Sequence, residues 1–456
     1  MTITRWAPRA WIGNGWVHHV TLHVGTDGRW SDIRADTACP DGAERLPAAV
    51  LPGMVNAHSH AFQRAFVGLA ERRVTARDDF WSWRDRMYDV ALRITPEQLY
   101  AVAAHLYTEL LAGGFTHTCE FHYLHHAEDG QPYSRSGGDD AAMCDAIARA
   151  AHHTGMALTI LPVLYERAGF EQPTLRHDQR RFAADVSRVL ALRDTVRGWK
   201  LPHVDAGVAI HSLRAASPET MRDLASACAH DDAPIHLHVA EQMGEVEACL
   251  VAHGMRPIEF LATHFALDAR WQLVHATHAT PQEIDAVAAS GAGIVLCPGT
   301  EANLGDGLCD LPRWLASDTP ISLGTDSHVA RNFTEELRLL EYGQRLATRQ
   351  RNVSAEPETM PSTAERLVTR CLAGGATAAG LHSSGFVVGA RADLVMLNDA
   401  DPALIGLPAS HLLDGVVFAG ASRPFARTMV AGHWVPERAT SSPFATAMRE
   451  LWPIMA

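Results

Sequence analysis

The chain contains 456 residues, of which 47% are hydrophobic and 20% are charged. A chain with this hydrophobic content is expected to fold, and it is too long to form only one small hydrophobic core. We therefore expect one large globular domain or two globular domains. The composition excludes collagen-like, coiled-coil and mucin-like proteins. The formal net charge of -13 argues against a nucleic-acid partner, because phosphate binding needs a concentrated excess of lysine and arginine.

The sequence contains no targeting or membrane signal. Residues 1–20 lack the apolar centre and the small-residue cleavage site of a signal peptide. No window approaches the roughly 18 unbroken apolar residues that a membrane span needs. The eight cysteines form no CxxC pair, which favours reduced thiols. We therefore expect a cytoplasmic protein without disulfides and without membrane association.

Short alternating segments with turn signals occupy both flanks of the chain. Residues 1–48 contain the turn signal 13–15 (GNG), and residues 386–436 show the same pattern. Neither flank alone can bury a core, so we expect the two to form one small β-sandwich domain. The region 49–385 would then be a catalytic domain inserted between them, and residues 437–456 would form a helical tail.

Between the flanks, eight short apolar runs alternate with stretches of helical character. Runs such as 294–296 (IVL) are continuously apolar, which is typical of parallel strands that are covered on both faces. This pattern predicts a (β/α)8 TIM barrel, with an open doubly wound sheet as the alternative. The eight runs are 49–56, 116–121, 157–164, 207–211, 234–239, 271–276, 293–297 and 320–325.

Polar side chains follow these runs at one end only. In a barrel the carboxyl ends of all strands meet at one rim, whereas an open sheet would scatter them. The position of the polar residues therefore favours the barrel and predicts a site at that rim. These residues are His58, His60, Glu120, Tyr123, His211, Arg214, His238, Glu241, His275 and Asp326.

Two histidines one residue apart, His58 and His60, come at the end of the first run. Side chains alternate along a strand, so both imidazoles point to the same face and can bind one metal ion. The motif alone is weak, because a chain with 26 histidines produces such pairs by chance. His236 and His238 form a second pair of the same kind.

The later strand ends strengthen the metal interpretation. His238 adds a third imidazole, and Asp326 adds an anionic ligand after the eighth run. Three imidazoles and one carboxylate, with a water molecule completing the set, match an open catalytic site for zinc or a similar divalent ion. Glu241, three residues after His238, would then be the general acid and base, and His275 would hold the water or the substrate.

These residues resemble the amidohydrolase superfamily. The resemblance rests on 51–60 (LPGMVNAHSH), on the pair His238 and Glu241, on His275 and on 322–326 (SLGTD). It extends over essentially the whole chain, including the divided β-sandwich. The superfamily implies a metal-dependent hydrolase on a TIM barrel.

The resemblance also implies how many metal ions the chain binds. Superfamily members with two ions usually bridge them with a carboxylated lysine at the fourth strand end. Here that end reads 211–214 (HSLR), and the only lysine, Lys200, lies well before it. We therefore expect one divalent metal ion per chain, zinc first, with iron or manganese as alternatives. Its ligands would be His58, His60, His238 and Asp326.

Four further segments resemble the formimidoylglutamate deiminase family. They are 60–65 (HAFQRA), 80–84 (FWSWR), 210–215 (IHSLRA) and 298–305 (PGTEANLG). This family implies hydrolysis of N-formimino-L-glutamate to N-formyl-L-glutamate and ammonia in histidine degradation, and a homodimer. The nucleophile would be metal-bound hydroxide that attacks the formimino carbon, with Asp326 and His275 orienting it and Glu241 moving the protons.

The residues are compatible with this dicarboxylate substrate. Two buried carboxylates need charge-assisted donors, and the forked guanidinium of arginine suits them. The family pattern groups Arg214, Tyr123 and His211 around one carboxylate and places Arg84 and Gln63 near the other. The alternative for Arg84 is a surface salt bridge. Residues 78–88 are the segment expected to approach the rim.

Two other functions remain open from the sequence alone. Another mononuclear deaminase could act on a purine, pyrimidine or triazine ring, but that site would need aromatic stacking and amide contacts rather than two arginines. A non-catalytic relative could share the fold, since fold does not guarantee activity. Such relatives typically lose metal ligands, which this chain retains.

Overall fold

The computed structural model describes residues 3–73, 80–137, 139–420, 423–436 and 439–453. Two sheets organise this part of the chain. One is an eight-stranded mixed sheet built from both flanks, and the other is a parallel sheet that closes on itself. The flank strands are β1 (Ile3–Ile12), β2 (Gly15–Val24), β3 (Trp30–Arg34), β4 (Glu44–Arg45) and β5 (Val50–Leu51).

The parallel sheet forms the predicted barrel. The first strand of this sheet pairs with its last strand, so the sheet closes into a ring. A strand in the fourth position also pairs with the strand in the third position. The strands are β6 (Met54–Ser59), β7 (Phe115–His122), β8 (Ala157–Leu164), β9 (Val204–Ala206), β10 (Val208–Ile210), β11 (Ile235–Val239), β12 (Trp271–His275), β13 (Gly293–Leu296) and β14 (Ile321–Leu323). The (β/α)8 prediction is confirmed.

The fourth barrel strand is interrupted at Gly207, which separates β9 from β10. Both halves pair with β8, so they occupy one strand position. A Cβ atom at residue 207 would lie 2.6 Å from the carbonyl oxygen of Pro234, closer than real Cβ atoms approach backbone. Glycine is required here because the neighbouring chain passes against the backbone.

The run 49–56, which the sequence presents as one strand, is two strands in two sheets. Val50 and Leu51 pair with β1 and with β15 (Leu394–Leu397) in the flank sheet. The chain turns at Pro52 and Gly53, and the barrel strand β6 begins at Met54. The expectation of a single strand was wrong, because a continuous apolar run does not reveal a change of sheet.

The C-terminal flank completes the mixed sheet with β15, β16 (Phe425–Val430) and β17 (His433–Trp434). Strands from both ends of the chain bury a separate core that includes Leu22, Trp30, Leu394 and Met429. The predicted joining of the two flanks in one small β-domain is thus confirmed.

Helices surround the barrel. A typical start is that of the second helix, where the Thr95 side chain accepts a hydrogen bond from Gln98 N and Pro96 occupies the first turn. The helices are α1 (Phe80–Ala91), α2 (Pro96–Ala112), α3 (Ala142–Thr154), α4 (Val186–Gly198), α5 (Pro218–Ala227), α6 (Met243–His253), α7 (Pro257–His264), α8 (Pro281–Ser290), α9 (Pro298–Leu304), α10 (Leu311–Ala316), α11 (Phe333–Thr348), α12 (Thr363–Ala378), α13 (Leu412–Asp414) and α14 (Ser441–Leu451).

The last helix, α14, packs on the barrel through aromatic contacts. The Phe444 ring stacks on the His105 ring with centroids 4.2 Å apart, and Trp452 Nε1 donates a hydrogen bond to Ala65 O. Within the described ranges, no helix combines the length and the apolar character that a membrane crossing requires. All eight cysteines are free thiols, as expected.

Candidate metal centre and active site

Four of the predicted ligands come together at the carboxyl rim of the barrel. His58 lies in β6 and His60 directly follows it, His238 lies in β11 and Asp326 follows β14. The His58 and His238 Nε2 atoms are 3.0 Å apart. Asp326 Oδ1 lies 3.6 Å from His58 Nε2 and 3.4 Å from His60 Nε2. The barrel therefore brings together, in one cluster, ligands that lie up to 268 positions apart in the sequence.

This cluster fits a divalent metal ion. Ligands at the usual zinc distances around a tetrahedral centre are about 3.3 Å from one another, and the three distances of 3.0, 3.4 and 3.6 Å are close to this value. His60 Nδ1 is 2.9 Å from Phe121 O, and His238 Nδ1 is 3.0 Å from His211 O. A carbonyl oxygen only accepts, so each Nδ1 carries the proton and each Nε2 offers a free lone pair to the cluster.

The charge state of the imidazoles also suits metal binding. Burial, followed by repulsion among the neighbouring imidazoles, holds the pKa values of His58 and His238 well below their usual range. Both rings are therefore neutral near pH 7, which is the form that binds metals. His58 is completely buried.

Glu241 and His275 lie beside this cluster. His275 Nε2 is 3.7 Å from Glu241 Oε1 and 3.7 Å from Asp326 Oδ2. Burial, together with the Asp326 carboxylate, raises the pKa of Glu241 to about 7, although His275 opposes the shift. A carboxyl group that titrates near neutrality can both accept and release a proton.

The predicted substrate residues line the same pocket. The pocket is lined by residues of the metal cluster and by Glu241. It is also lined by side chains from the segment after β6, from α1 and from the ends of β7 and β10. Structure and sequence therefore agree on which residues share one cavity. The five are Gln63, Arg84, Tyr123, His211 and Arg214.

Arg84 belongs to α1, is partly exposed and lines the pocket. Its guanidinium carbon lies 4.4 Å from the Trp81 ring centroid and 5.5 Å from that of Tyr88. Its Nε is buried and has no hydrogen-bond partner among the described residues. Burial, with repulsion from the cations of Arg176 and Arg214, lowers the Arg84 pKa. The surface salt bridge considered for Arg84 is not present in the described part of the chain.

Arg84 and Arg214 place two guanidinium groups in the pocket, where Glu241 and Glu245 are the nearby carboxylates that interact electrostatically with Arg214. No ion pair within 4.0 Å joins Arg84 or Arg214 to a carboxylate in the described ranges. Two guanidinium groups in a partly desolvated cavity favour an anionic occupant. Of the segment 78–88, residues 78 and 79 lie outside the described residues, and the rest belongs to α1.

Gln63 and Tyr123 contact each other. Gln63 Nε2 donates a hydrogen bond of 3.2 Å to the Tyr123 hydroxyl, whereas Gln63 Oε1 is buried without a partner among the described residues. This contact joins two residues that the predicted partition placed at different carboxylates. His211 Nδ1 lies 3.2 Å from Ser212 Oγ.

Glu120 lies at the end of a barrel strand, and the sequence predicts no role for it. Its carboxylate is buried and accepts hydrogen bonds from Ser59 Oγ at 2.8 Å, from the Tyr107 hydroxyl at 3.2 Å and from Ala61 N. It thus holds the backbone on both sides of His60. Burial raises its pKa to about 7, against these donors. The signal in the sequence was an acidic residue inside an apolar strand, which must find partners.

Comparison with known proteins places the chain among metal-dependent hydrolases. The amidohydrolase family profile matches residues 49–435. A formimidoylglutamate deiminase of Pseudomonas aeruginosa is 45% identical over 94% of this chain and 93% of that protein. An 8-oxoguanine deaminase of the same species is 30% identical over 65% of this chain and 64% of its own.

Solved structures show the same architecture. An amidohydrolase from Brucella melitensis superposes with a TM-score of 0.91 at 40% identity, over 98% of this chain and 99% of that chain. The atrazine chlorohydrolase TrzN from Arthrobacter aurescens, in complex with zinc, gives a TM-score of 0.81 at 20% identity. It covers 99% of this chain and 100% of its own. At that identity the second likeness concerns the fold alone.

Proposed function

The chain belongs to the amidohydrolase family, and from this premise we propose that it hydrolyses N-formimino-L-glutamate to N-formyl-L-glutamate and ammonia. It is accordingly a hydrolase that acts on a C–N bond. The observation that carries the proposal is the pair Arg84 and Arg214 in the pocket that also contains Glu241 and the metal ligands. The 45% identity to a formimidoylglutamate deiminase supports the same substrate.

The substrate's two carboxylates account for the two arginines. Each carboxylate loses hydration when it enters a barrel mouth, and a charge-assisted hydrogen bond offsets this loss. Tyr123, Gln63 and His211 supply further polar atoms on the same wall. A pocket for a neutral purine or triazine ring gains nothing from two unpaired guanidinium groups.

We propose that His58, His60, His238 and Asp326 hold one zinc ion, with iron or manganese able to occupy the same set of nitrogen and oxygen ligands. Their donor spacing and the protonated outer nitrogens support this assignment. When bound, such an ion lowers the pKa of a coordinated water molecule towards neutrality.

The protein's own groups then move the protons. Glu241 takes a proton from the attacking water as the water oxygen bonds to the formimino carbon. In the same step the electron pair of the C=N bond of the protonated amidine moves to the terminal nitrogen. Glu241 returns the proton to that nitrogen, whose bond to carbon breaks so that ammonia leaves. Glu241 then accepts the proton of the remaining hydroxyl, which becomes the formyl carbonyl, and releases it to solvent. A pKa of about 7 suits these transfers. Asp326 and His275, which flank Glu241 within the pocket, orient the water.

The test is release of ammonia from N-formimino-L-glutamate by protein that is saturated with metal. Guanine, cytosine and N-formimino-glycine serve as comparison substrates. Fast turnover of the glutamate compound, with little turnover of the glycine compound, is the expected result. Turnover of a ring substrate alone would retain the metal site and refute the assigned roles of Arg84 and Arg214.

We further propose that the protein works in the cytoplasm as a homodimer, on this small molecule and without a nucleic-acid partner. Sedimentation velocity at micromolar concentration measures the oligomeric state directly. A monomer that is fully active would contradict the dimer.

A further inference from the structure

The segment 298–305 (PGTEANLG) has no role in the site described so far, although it is one of the most distinctive parts of the sequence. It forms α9, which begins immediately after β13. Two neighbouring polar residues of α9, Thr300 and Glu301, are 1% and 4% exposed. Buried polar side chains need partners, and theirs lie at the active site.

Thr300 contacts the backbone on both sides of Asp326. Its hydroxyl oxygen accepts a hydrogen bond of 3.1 Å from Ser327 N and lies 2.9 Å from Ser327 Oγ. The same hydroxyl lies 3.4 Å from Thr325 O, within reach to donate. Asp326 itself is not touched, so Thr300 acts on its position only.

Glu301, the next residue, contacts His275. Its Oε1 lies 3.4 Å from His275 Nδ1 and accepts a hydrogen bond of 2.9 Å from Cys297 N. A carboxylate only accepts, so His275 Nδ1 carries the proton that faces it. The other ring nitrogen, Nε2, is thereby directed to Glu241 and Asp326.

The two residues whose positions α9 affects, His275 by direct contact and Asp326 through its neighbours, have a strained backbone. His275 has φ +72° and Asp326 has φ +47°, in the left-handed region that residues with a Cβ atom avoid. Ala276, with φ +48°, continues the strained turn after His275. Such conformations persist only where the surroundings determine them. Local propensity therefore does not hold His275 and Asp326 in place, and contacts from elsewhere must.

We propose that Thr300 and Glu301 are positioning residues that together form a two-point clamp on the catalytic centre. Thr300 fixes the turn that carries Asp326, and Glu301 fixes the ring of His275. Because the two residues are adjacent on one short helix, they also fix His275 relative to Asp326. The proposal rests on the proposed function for its substrate, but the retention of metal tests it without any substrate.

A hydrogen bond to another helix also holds α9 in place. The two side chains of the clamp can therefore be changed without displacing α9. Gly299 N donates a hydrogen bond of 2.7 Å to Glu336 Oε2, a buried carboxylate of α11. Loss of the Thr300 hydroxyl or of the Glu301 carboxylate leaves this anchor intact. Variants at these two positions should therefore fold and keep α9 in place.

The two halves of the clamp predict different defects. Thr300→Val removes the hydroxyl at nearly constant volume, whereas Thr300→Ser keeps it. Supporting partners of metal ligands typically contribute about 10-fold to 100-fold to metal affinity or activity. We expect Thr300→Val to lower kcat within that range and to speed the loss of metal to a chelator, while Thr300→Ser behaves like the unmodified protein.

Glu301 acts through His275, which is not a proposed ligand. Glu301→Leu should therefore lower kcat by a similar factor while metal loss stays at the unmodified rate. Glu301→Gln keeps an oxygen acceptor for His275 Nδ1 and should recover part of the activity. In all four variants KM, and the affinity for the product N-formyl-L-glutamate measured by calorimetry, should be unchanged.

The experiment compares kcat, KM, metal content and chelator-induced metal loss for these variants. Thr263→Val, on the exposed face of α7, is the matched control, because it also removes a hydroxyl that bonds to a backbone carbonyl. If Thr300→Val fails to fold by circular dichroism, Thr300→Ala replaces it.

Equal kcat and equal metal loss for Thr300→Val and Thr300→Ser would overturn the clamp. So would rapid metal loss in Glu301→Leu, or a rise of KM in step with the fall of kcat. If the unmodified protein does not hydrolyse N-formimino-L-glutamate but the chelator difference persists, the proposed substrate is wrong and the Thr300 half of the clamp stands.

Discussion

The two sides of the pocket are built differently. On the metal side, every proposed ligand lies at a barrel strand end, and two of the three imidazoles are held by barrel backbone, His60 by Phe121 O and His238 by His211 O. The Nδ1 atom of His58 is buried without a partner among the described residues. On the arginine side, Arg84 comes from the helix α1, and buried polar atoms of Arg84 and Gln63 have no partner among the described residues.

This contrast separates the residues that carry out the reaction from the residues that select the substrate. The metal side contains the proposed metal ligands and Glu241, so a change there should remove the reaction for every substrate. The polar atoms of the arginine side lack partners that a substrate can supply, so a change there should depend on which carboxylates the substrate carries.

Replacement of metal-side residues should abolish turnover for two distinguishable reasons. Asp326→Ala removes a ligand, so both metal content and activity should fall to background. Glu241→Gln removes only the acid and base, so activity should fall by about 10²-fold to 10⁴-fold with metal content intact. Ammonia release and elemental analysis measure the two quantities. Metal loss in Glu241→Gln would make Glu241 a ligand and refute its assigned role.

Replacement of Arg84 or Arg214 by Met should have a graded effect that depends on the substrate. Loss of a hydrogen bond to a charged group costs about 1.5–3 kcal/mol, which corresponds to roughly 10-fold to 150-fold in kcat/KM. The arginine that binds the side-chain carboxylate should show no such loss with N-formimino-glycine, which lacks that group. Arg93→Met, an exposed arginine outside the pocket, is the control.

Activity should rise with pH through the titration of Glu241. The carboxyl group must be ionised to accept a proton from water, and its pKa is raised to about 7. The kcat/KM value should therefore fall about tenfold for each pH unit below that pKa. A pH profile from 5.5 to 8.5 measures this limb. A profile that is flat down to pH 5.5 would contradict Glu241 as the base.

Glu120 should give the smallest effect, on stability rather than on chemistry. Its pKa is raised to about 7 in the folded protein, above the ordinary value of an unfolded glutamate, because burial disfavours its charge. Its contribution to stability is therefore present at low pH and is lost as pH rises through 7. Glu120→Gln, a neutral mimic, should flatten the pH dependence of Tm between pH 5 and 8. An unchanged pH dependence would show that Glu120 is not the group responsible.

Local and periodic signals in the sequence predicted the barrel and the grouping of the metal ligands, whereas the substrate residues of the pocket were predicted from the family resemblance. Strand alternation placed His58 and His60 on one face, and the order of apolar runs brought Asp326 to the same rim. The roles of these residues remain predictions, since geometry shows their proximity and experiment must show their function.

Other contacts had no such signal. The contact between Glu301 and His275 joins helix α9 to the end of β12, and no periodic pattern specifies which residues of two such elements meet. The left-handed backbone of His275 and Asp326 was also invisible, because neither is glycine. Proline followed by glycine, as at Pro52 and Gly53, is typical of a turn. The apolar residues on both sides nevertheless made the segment resemble one continuous strand.

The mixed sheet has a consequence for synthesis of the protein. β5 pairs with β1 on one side and with β15 on the other, and β15 begins only at Leu394. At roughly 5–20 residues per second, the ribosome needs on the order of tens of seconds to make the intervening chain. During that time the edge of the N-terminal strands lacks its native partner, and the whole barrel emerges before the sheet can be completed. The flank sheet therefore cannot be completed until β15, β16 and β17 have been synthesised, and until then its open edge is exposed to wrong pairing.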